Sequence, residues 1–572
     1  MTKTRLAAAL SIALLVAPIS QAAKYRVVEL PVGNVGENSF PSAINNNGTS
    51  IVNVSNPYNV PIDLTLLDFE SDTLIDGLTD VESASNGDFN IADYEILLGL
   101  IRAADGSQSA QQIASNISFL VSEGASNYIA GFDQRFEGEN TFSLSTNNIT
   151  KDINDLGFAV GSAEGFYKKV NYTFQTGTSE GEENTFIVRD FATRGFVNLP
   201  DNSVVDLPAP ETLAGGFSEA YSINANNQVV GYGTTLFTSE SLQESVNECN
   251  DDEQRSDVPK ESCISSVINS FSSSVSSFAQ LRGLIWQLDS QGNLVDTKEL
   301  GILFEPEEDD TRNYTSQALA INDNGIAVGV SNNLYVEKDV TVTRNYAVIF
   351  NQDEIINLTP ETDRNVARSS NVISSAADIN NDNLVVGYQV KSINGANRTK
   401  FFVYDMNLAE MTFPEDFFLG SSSVALDINN NGLVVGYGDI DASLTGRRTE
   451  GFLYDNNTGQ FNGLSDLISC DSPYTLVQSN SINDNNEILA TALYKGPSRD
   501  LTGEVILDDD GNQVLVDLVK AVKLVPISGG ELESCEEPVD EINRDRQGAT
   551  ATWLIGLGLL LLTYRRKTFR IK

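Results

Sequence analysis

The stretch Asp427–Gly438 reads D-I-N-N-N-G-L-V-V-G-Y-G, and near copies of it recur six more times along the 572-residue chain. The seven copies centre on Ile44, Ile153, Ile223, Ile321, Ile379, Ile428 and Ile482. Asparagine follows each time, as Asn45, Asn154, Asn224, Asn322, Asn380, Asn429 and Asn483. Four positions after the isoleucine stands Gly48, Gly157, Asn227, Gly325, Asn383, Gly432 or Asn486. Glycine and asparagine tolerate a left-handed backbone best, so this position calls for a positive φ. Apolar residues such as Val434-Val435 come next, then glycine at Gly161, Gly231, Gly329, Gly387 and Gly436, with Val52 and Ala490 in the other two copies. A strand ending in Ile-Asn, a tight turn and a second strand make a hairpin. Small residues before the turn (Ser316/Ala318, Ser423/Ala425) facing glycine on the partner strand place that hairpin where space is tight.

Two further strand-like pieces follow most hairpins. The third reads Phe186–Arg189, Leu284–Trp286, Tyr346–Phe350, Phe401–Tyr404 or Gly451–Tyr454. The fourth reads Gly195–Leu199, Leu294–Leu300, Ile355–Leu358, Met411–Phe413 or Phe461–Leu467. Four short strands per unit of about 50 residues is the rhythm of a propeller blade. The last unit has a third strand at Ala521–Val525 but no fourth, whereas Tyr25–Leu30 reads as a fourth strand lacking its first three. Pairing them closes a ring and removes exposed sheet edges. The expected fold is therefore an all-β propeller spanning 23–535, with seven blades, or six as the alternative.

The pattern carried by Gly451–Leu467 and Ser423–Gly436 resembles the HAF-type repeats of extracellular bacterial proteins. The whole layout is similar to an uncharacterised family of exported bacterial proteins with a signal peptide and a C-terminal sorting or anchor tail. The leading His-Ala of the usual repeat is missing, because the chain has no histidine. The resemblance implies fold and location and no activity.

Address signals frame the repeats. Lys3 and Arg5, the apolar run Leu6–Val16 and Ser20-Gln21-Ala22 read as a signal peptide over 1–22. At the other end an acidic linker (536–548) leads into Ala549–Tyr564, an apolar run followed by Arg565, Arg566 and Lys567. That order reads as a membrane-spanning or sorting tail over 549–572 with its basic end in the cytoplasm. The expected location is thus periplasmic or at the cell surface, tethered or sorted by the tail. Export also makes the four cysteines disulfide candidates. Cys249 with Cys263 forms a local staple and leaves Cys470 with Cys535, among three formal pairings.

Two insertions interrupt the rhythm. In 56–131, Ile91, Tyr94, Leu97, Leu98 and Ile101 recur at helical spacing, as do Ala110, Ile113, Ile117 and Leu120, which predicts a helical hairpin capped by Asn90 and by Ser107 or Ser109. The segment 237–280, polar and serine-rich, reads as a surface loop held by its disulfide.

Composition narrows the chemistry. Seventy-nine acidic against 36 basic residues give a formal charge of −43, which repels nucleic acid. Without histidine, Ser-His-Asp and Cys-His catalysis and His-ligated metal sites are excluded. No catalytic residues are assigned. The cofactor with a motif is calcium: Asp427, Asn429 and Asn431 before Gly432, and Asp378, Asn380 and Asp382, match the first half of a D-x-[DN]-x-[DN]-G loop. The position where such a loop needs its closing glutamate is Gly438. The competing account is structural: the shared asparagine caps its own turn through an Asx hydrogen bond. The functional expectation is a non-enzymatic binding module of the cell envelope, its partner a surface protein or glycan. The alternatives are a carboxylate-dependent enzyme acting on polysaccharide and a calcium-stabilised adhesin.

Overall fold

The computed structural model describes residues 24–532 apart from 105, 338–339, 365–370 and 443–445. Its strands form seven four-stranded antiparallel sheets, one per repeat, and the chain is a seven-bladed β-propeller. Blade 1 is Gly36–Ile44, Ser50–Pro57, Asn116–Ser122 and Ala125–Ile129; blade 2 is Asn148–Ile153, Ala159–Glu164, Thr193–Asn198 and Val204–Leu207. Blade 3 is Ser218–Ile223, Gln228–Phe237, Ala279–Leu288 and Leu294–Glu299; blade 4 is Ser316–Ile321, Ala327–Glu337, Val340–Asn351 and Glu354–Asn357. Blade 5 is Ser374–Ile379, Leu384–Ile393, Ala396–Asp405 and Glu410–Thr412; blade 6 is Ser423–Ile428, Leu433–Asp439, Thr449–Asp455 and Gln460–Gly463. Blade 7 joins Thr475–Ile482, Ile488–Pro497 and Leu515–Pro526 to the N-terminal strand Tyr25–Glu29. The closure is in register from Tyr25 opposite Pro526 to Glu29 opposite Val522, as the incomplete end units require.

The glycine eight residues after five of the seven isoleucines has a steric cause. The innermost strand slips by one residue between Ala425 and Asp427, and likewise between Thr150 and Asp152, Ala220 and Ser222, Ala318 and Ala320, and Ala376 and Asp378. The bulge drives a carbonyl against the partner strand. A Cβ on Gly436 would lie 2.0 Å from the Val424 carbonyl oxygen, and one on Gly231 1.9 Å from that of Glu219. In the copy carrying Ala490 the equivalent slip lies between Ser479 and Ser481, with a second between Leu476 and Gln478, and in the copy carrying Val52 the register shifts between Pro41 and Ile44.

The serine five residues before the isoleucine does more than save space. Ser218, Ser316, Ser374 and Ser423 each accept, on Oγ, an N–H from the third strand of the preceding blade: Gly195, Gly283, Ala347 and Phe401. Ser39 does the same for Ala521 across the ring closure at 3.0 Å. Between blades, apolar side chains interleave; Phe401, Ile428, Val434 and Phe452 form one such seam and are fully or almost fully buried.

Three expectations change. Residues 110–120 are not a second helix: Asn116–Ser122 is the third strand of blade 1, where Ile117, Phe119 and Val121 alternate into the core. Period two wins over helical spacing because the neighbouring strand Ser50–Pro57 offers a ladder. The helix at 91–103 is present, with Asn90 accepting the Asp93 N–H as its cap. The segment 237–280 is helical rather than a loop: Glu240–Asn250 and Lys260–Ser272 are joined by the Cys249–Cys263 disulfide, and Leu242, Ile268 and Phe271 are buried beneath. Finally, 186–189 belongs to an added hairpin, Lys168–Thr173 with Glu183–Val188, and Thr193–Asn198 is the true third strand of blade 2. Gly195 in that strand meets Ser218, the contact that marks third strands elsewhere.

Cys535, the expected partner of Cys470, lies outside the described residues, as do the expected signal peptide, acidic linker and C-terminal tail. Among the described residues, no helix is long and apolar enough to cross a membrane.

Replacing Gly436 by alanine should destabilise the propeller by about 2–3 kcal/mol, the scale of a small overpacking strain against backbone. Urea unfolding of G436A against wild type measures it; an unchanged midpoint would show that the inner strand yields without cost.

Candidate functional site

All seven inner strands end at one face of the ring, so their Ile-Asn turns meet around its axis. Each asparagine does two jobs. Its Oδ1 accepts the N–H groups two and four residues on, as Asn429 does from Asn431 at 3.1 Å and Leu433 at 3.0 Å, which closes an Asx turn. Its Nδ2 donates to the main-chain carbonyl of the asparagine in the next blade. Asn45 reaches Asn154, Asn154 reaches Asn224, Asn224 reaches Asn322, Asn322 reaches Asn380, Asn380 reaches Asn429, Asn429 reaches Asn483, and Asn483 returns to Asn45. The bonds run from 2.9 to 3.2 Å and form a closed ring. The glycine or asparagine three residues later has positive φ in every copy, from 57° at Asn227 to 82° at Gly157.

A second, more exposed circuit lies on top. The residue after each ring asparagine offers its side-chain oxygen to the N–H of the same position in the preceding blade: Asp155 to Asn46, Asp323 to Ala225, Asn381 to Asp323, Asn430 to Asn381, Asp484 to Asn430 and Asn46 to Asp484. Ala225 has no acceptor and leaves one gap. A cavity of about 220 Å³ sits at the channel mouth, lined by the Ile-Asn pairs.

The residues raised as a calcium set are therefore placed but not gathered. Asn380 and Asn429 spend their amides on the ring, and Asn431 donates to the Asp484 carbonyl and to Asn486. Asp378 accepts the Ile428 N–H at 2.9 Å and Asp427 the Ile482 N–H at 2.8 Å, while Asp382 lies in the turn beyond Asn380. Among the described residues, no three Asp, Glu or Cys side chains converge as a metal site would need. Asp152 makes the same contact with Ile223 at 2.9 Å, so an aspartate at this position fastens one inner strand to the next.

The carboxylates are enclosed by the channel walls. Burial first, and then the neighbouring Asp427, hold the Asp378 carboxyl well above the usual carboxylate range; burial also raises Asp152. Further along the wall, the residues displaced by the inner-strand bulges are half-buried and chemically uneven. Lys151 and Tyr221 stand in blades 2 and 3, against Leu319, Ala377 and Leu426 in blades 4 to 6. Lys151 pairs with Glu219 at 3.2 Å and lies 3.3 Å from the centre of the Tyr221 ring, whose hydroxyl donates to the same carboxylate. Burial lowers the lysine's pKa, and burial with Glu219 raises that of Tyr221.

The opposite face is built differently. Connections from second to third strands, and from one blade to the next, emerge there. Residues 58–115, the hairpin of Lys168–Thr173 with Glu183–Val188, and the helices of 240–278 all rise from blades 1 to 3 and clasp one another. Asp63 accepts the Tyr167 hydroxyl at 3.0 Å and pairs with Lys169 at 2.6 Å. Asp257 accepts from Tyr172, Gln175 and Thr176 of the hairpin, and Gln108 is bonded to Ser262. Two clefts open on this face, one beside the canopy and one at blade 5. One, about 510 Å³, has Tyr58, Phe119, Tyr128 and Phe142 in its wall and no charged residue; the other, about 540 Å³, lies along Phe413–Leu419 with Lys391 and Lys400. The sequence held no signal for the first cleft, because its walls come from segments as far apart as Asn34 and Thr502, and the second is lined by strand ends and a connection that lie outside the repeated hairpin.

A family model described as "Protein of unknown function (DUF3466)" matches residues 4–567. No curated protein matches the sequence. Among solved structures, an acylaminoacyl peptidase of Pyrococcus horikoshii is 9% identical with a TM-score of 0.34, over 82% of this chain and 50% of that one. A puromycin hydrolase is 9% identical with a TM-score of 0.32, over 84% and 53%. The chain thus spans about half the length of both. A protein of unknown function from Dyadobacter fermentans is 11% identical with a TM-score of 0.30, over 89% and 98%. Scores this low carry no argument about activity.

Two measurements follow from the ring and its carboxylates. Asn429→Asp keeps the oxygen that closes the turn but sets a carboxylate against the Asn483 carbonyl. It should cost at least about 2 kcal/mol in urea unfolding, and stability equal to wild type would show the ring bond to be idle. For Asp378, the folded carboxyl binds its proton more tightly than the unfolded one. Its contribution is full below the unfolded value near 3.8 and is lost as pH rises toward the folded value. Asp378→Asn, a mimic of the protonated acid, should therefore melt above wild type at pH 7, by a margin that shrinks as pH falls to 4. A margin independent of pH would contradict this.

Proposed function

We propose, for a chain that belongs to the DUF3466 family of proteins of unknown function, a non-enzymatic binding module of the bacterial cell envelope or surface. In this reading the signal peptide exports it and the C-terminal segment holds or sorts it. Its partner is a protein or glycan of the same compartment. The observation that carries the reading is the contrast between the two faces. One is closed by repeated short turns whose polar groups bond to each other around the axis. The other bears the large departures from the repeat, together with both clefts. A rigid scaffold with its variable connections on one side is the usual arrangement for recognition by loops.

The acidic surface fits a partner that is neutral or cationic where it docks, and disfavours a nucleic acid. The immobilised exported protein should capture a saturable component of the envelope fraction. Tyr58→Ala with Phe418→Ala, in the two clefts, should cut that capture at least five-fold. Leu156→Ser with Leu408→Ser, exposed beside the asparagine ring, should leave it unchanged. The reverse pattern would assign recognition to the asparagine face and overturn the proposal.

A further inference from the structure

We propose that Arg344, Arg364 and Tyr346, between blades 4 and 5, form a binding site for an oxyanion: a carboxylate or phosphate group on a small ligand. Arg344 and Tyr346 stand two residues apart on the strand Val340–Asn351 and so share one side of the sheet. Among the described residues, Arg344 is the one basic side chain less than a tenth exposed, at 4%. In a chain with 79 acidic residues it nevertheless has no carboxylate partner among the described residues. Its Nη1 donates to the Arg364 carbonyl at 2.6 Å, and its guanidinium lies over the Tyr335 ring at 4.3 Å. Lys400 of blade 5, itself little exposed, shows the contrast, since it meets Asp416 at 2.8 Å.

An unpartnered group stands at the same place. The Tyr346 hydroxyl belongs to a side chain 1% exposed, and it has no hydrogen-bond partner. Burial raises its pKa, and the charges of Arg344 and Arg364 lower it. Arg364 lies 5.9 Å from the Tyr346 ring centre, and its carboxylate, Glu361, is distant at 3.8 Å and largely exposed. Buried polar groups and buried charges are ordinarily partnered, so a guanidinium without a carboxylate beside an unpartnered phenol points to something that completes them. An oxyanion does both. It accepts from the guanidinium fork, whose geometry matches carboxylate and phosphate, and it accepts the phenol proton as a further hydrogen bond. The net charge of −43 opposes loose association of anions elsewhere, so binding here should be selective.

The site stands on its own geometry and does not depend on a macromolecular partner for the clefts. The test is calorimetric titration of the full exported protein with inorganic phosphate and, separately, with acetate, in chloride buffer at constant ionic strength. Saturable binding of one anion names the source, and Arg344→Gln should weaken it at least ten-fold. Should that variant fail to fold, Arg364→Gln and Tyr346→Phe serve instead. Each should weaken binding several-fold, and Tyr346→Phe should melt no lower than wild type without ligand, since it deletes an unpartnered hydroxyl. No saturable binding of either anion, or unaltered affinity in Arg364→Gln and Tyr346→Phe, would overturn the proposal.

Discussion

One hydrogen bond, repeated seven times, sets the geometry of this protein: an asparagine amide in one blade donating to the main-chain carbonyl of the asparagine in the next. A blade alone has two exposed edges and one unmet ring carbonyl. Only a closed circle satisfies all seven, and closure also brings Tyr25–Glu29 to the edge of Leu515–Pro526. A net worth of about 1 kcal/mol per bond is modest, but each buried carbonyl would cost more if left unpaired, so the constraint works mainly by penalising open or mis-sized rings. The serine contacts repeat this logic farther out, tying each inner strand to the third strand beside it.

Because the inner strands are held on both sides, the outer connections are free to vary. The blade 1 insertion, the blade 2 hairpin and the disulfide-linked helices of blade 3 have their own small cores, such as Leu74, Ala84 and Leu97, or Leu242, Ile268 and Phe271. They meet through Asp63, Gln108 and Asp257, three polar residues that nothing in the sequence singles out. Inside the ring the same closure has an electrostatic consequence. Aspartates that fasten neighbouring strands are drawn into one channel, where Asp378 is forced to keep its proton more tightly than an exposed acid would.

Much of the architecture was legible in the chain, for identifiable reasons. The positive-φ position, the inner-strand glycine and the split last blade each reflect a local steric or pairing need that recurs often enough to read. The misreadings fell where repetition stops. Residues 110–120 satisfy helical spacing and strand alternation alike, and only the ladder with Ser50–Pro57 decides between them. In blade 2 two segments compete for the third strand, and Gly195 wins through a contact with Ser218 that is invisible until the blades stand side by side. Within the repeat, Asp378 and Asp427 turn their carboxylates to N–H groups of the neighbouring blade, a contact that spacing along one chain segment does not reveal.

The sequence by itself determined that there are seven hairpins, that each needs an asparagine and a left-handed turn, and that the ends complete one another. These are properties of a single repeat, governed by backbone sterics and hydrogen bonding within a few residues. Tertiary structure decided what the asparagines hold, which face is sealed and which is open, and which charges are buried together. Those outcomes depend on groups as far apart as Asn483 and Asn45, or Ser39 and Ala521, whose proximity exists only once the ring has closed.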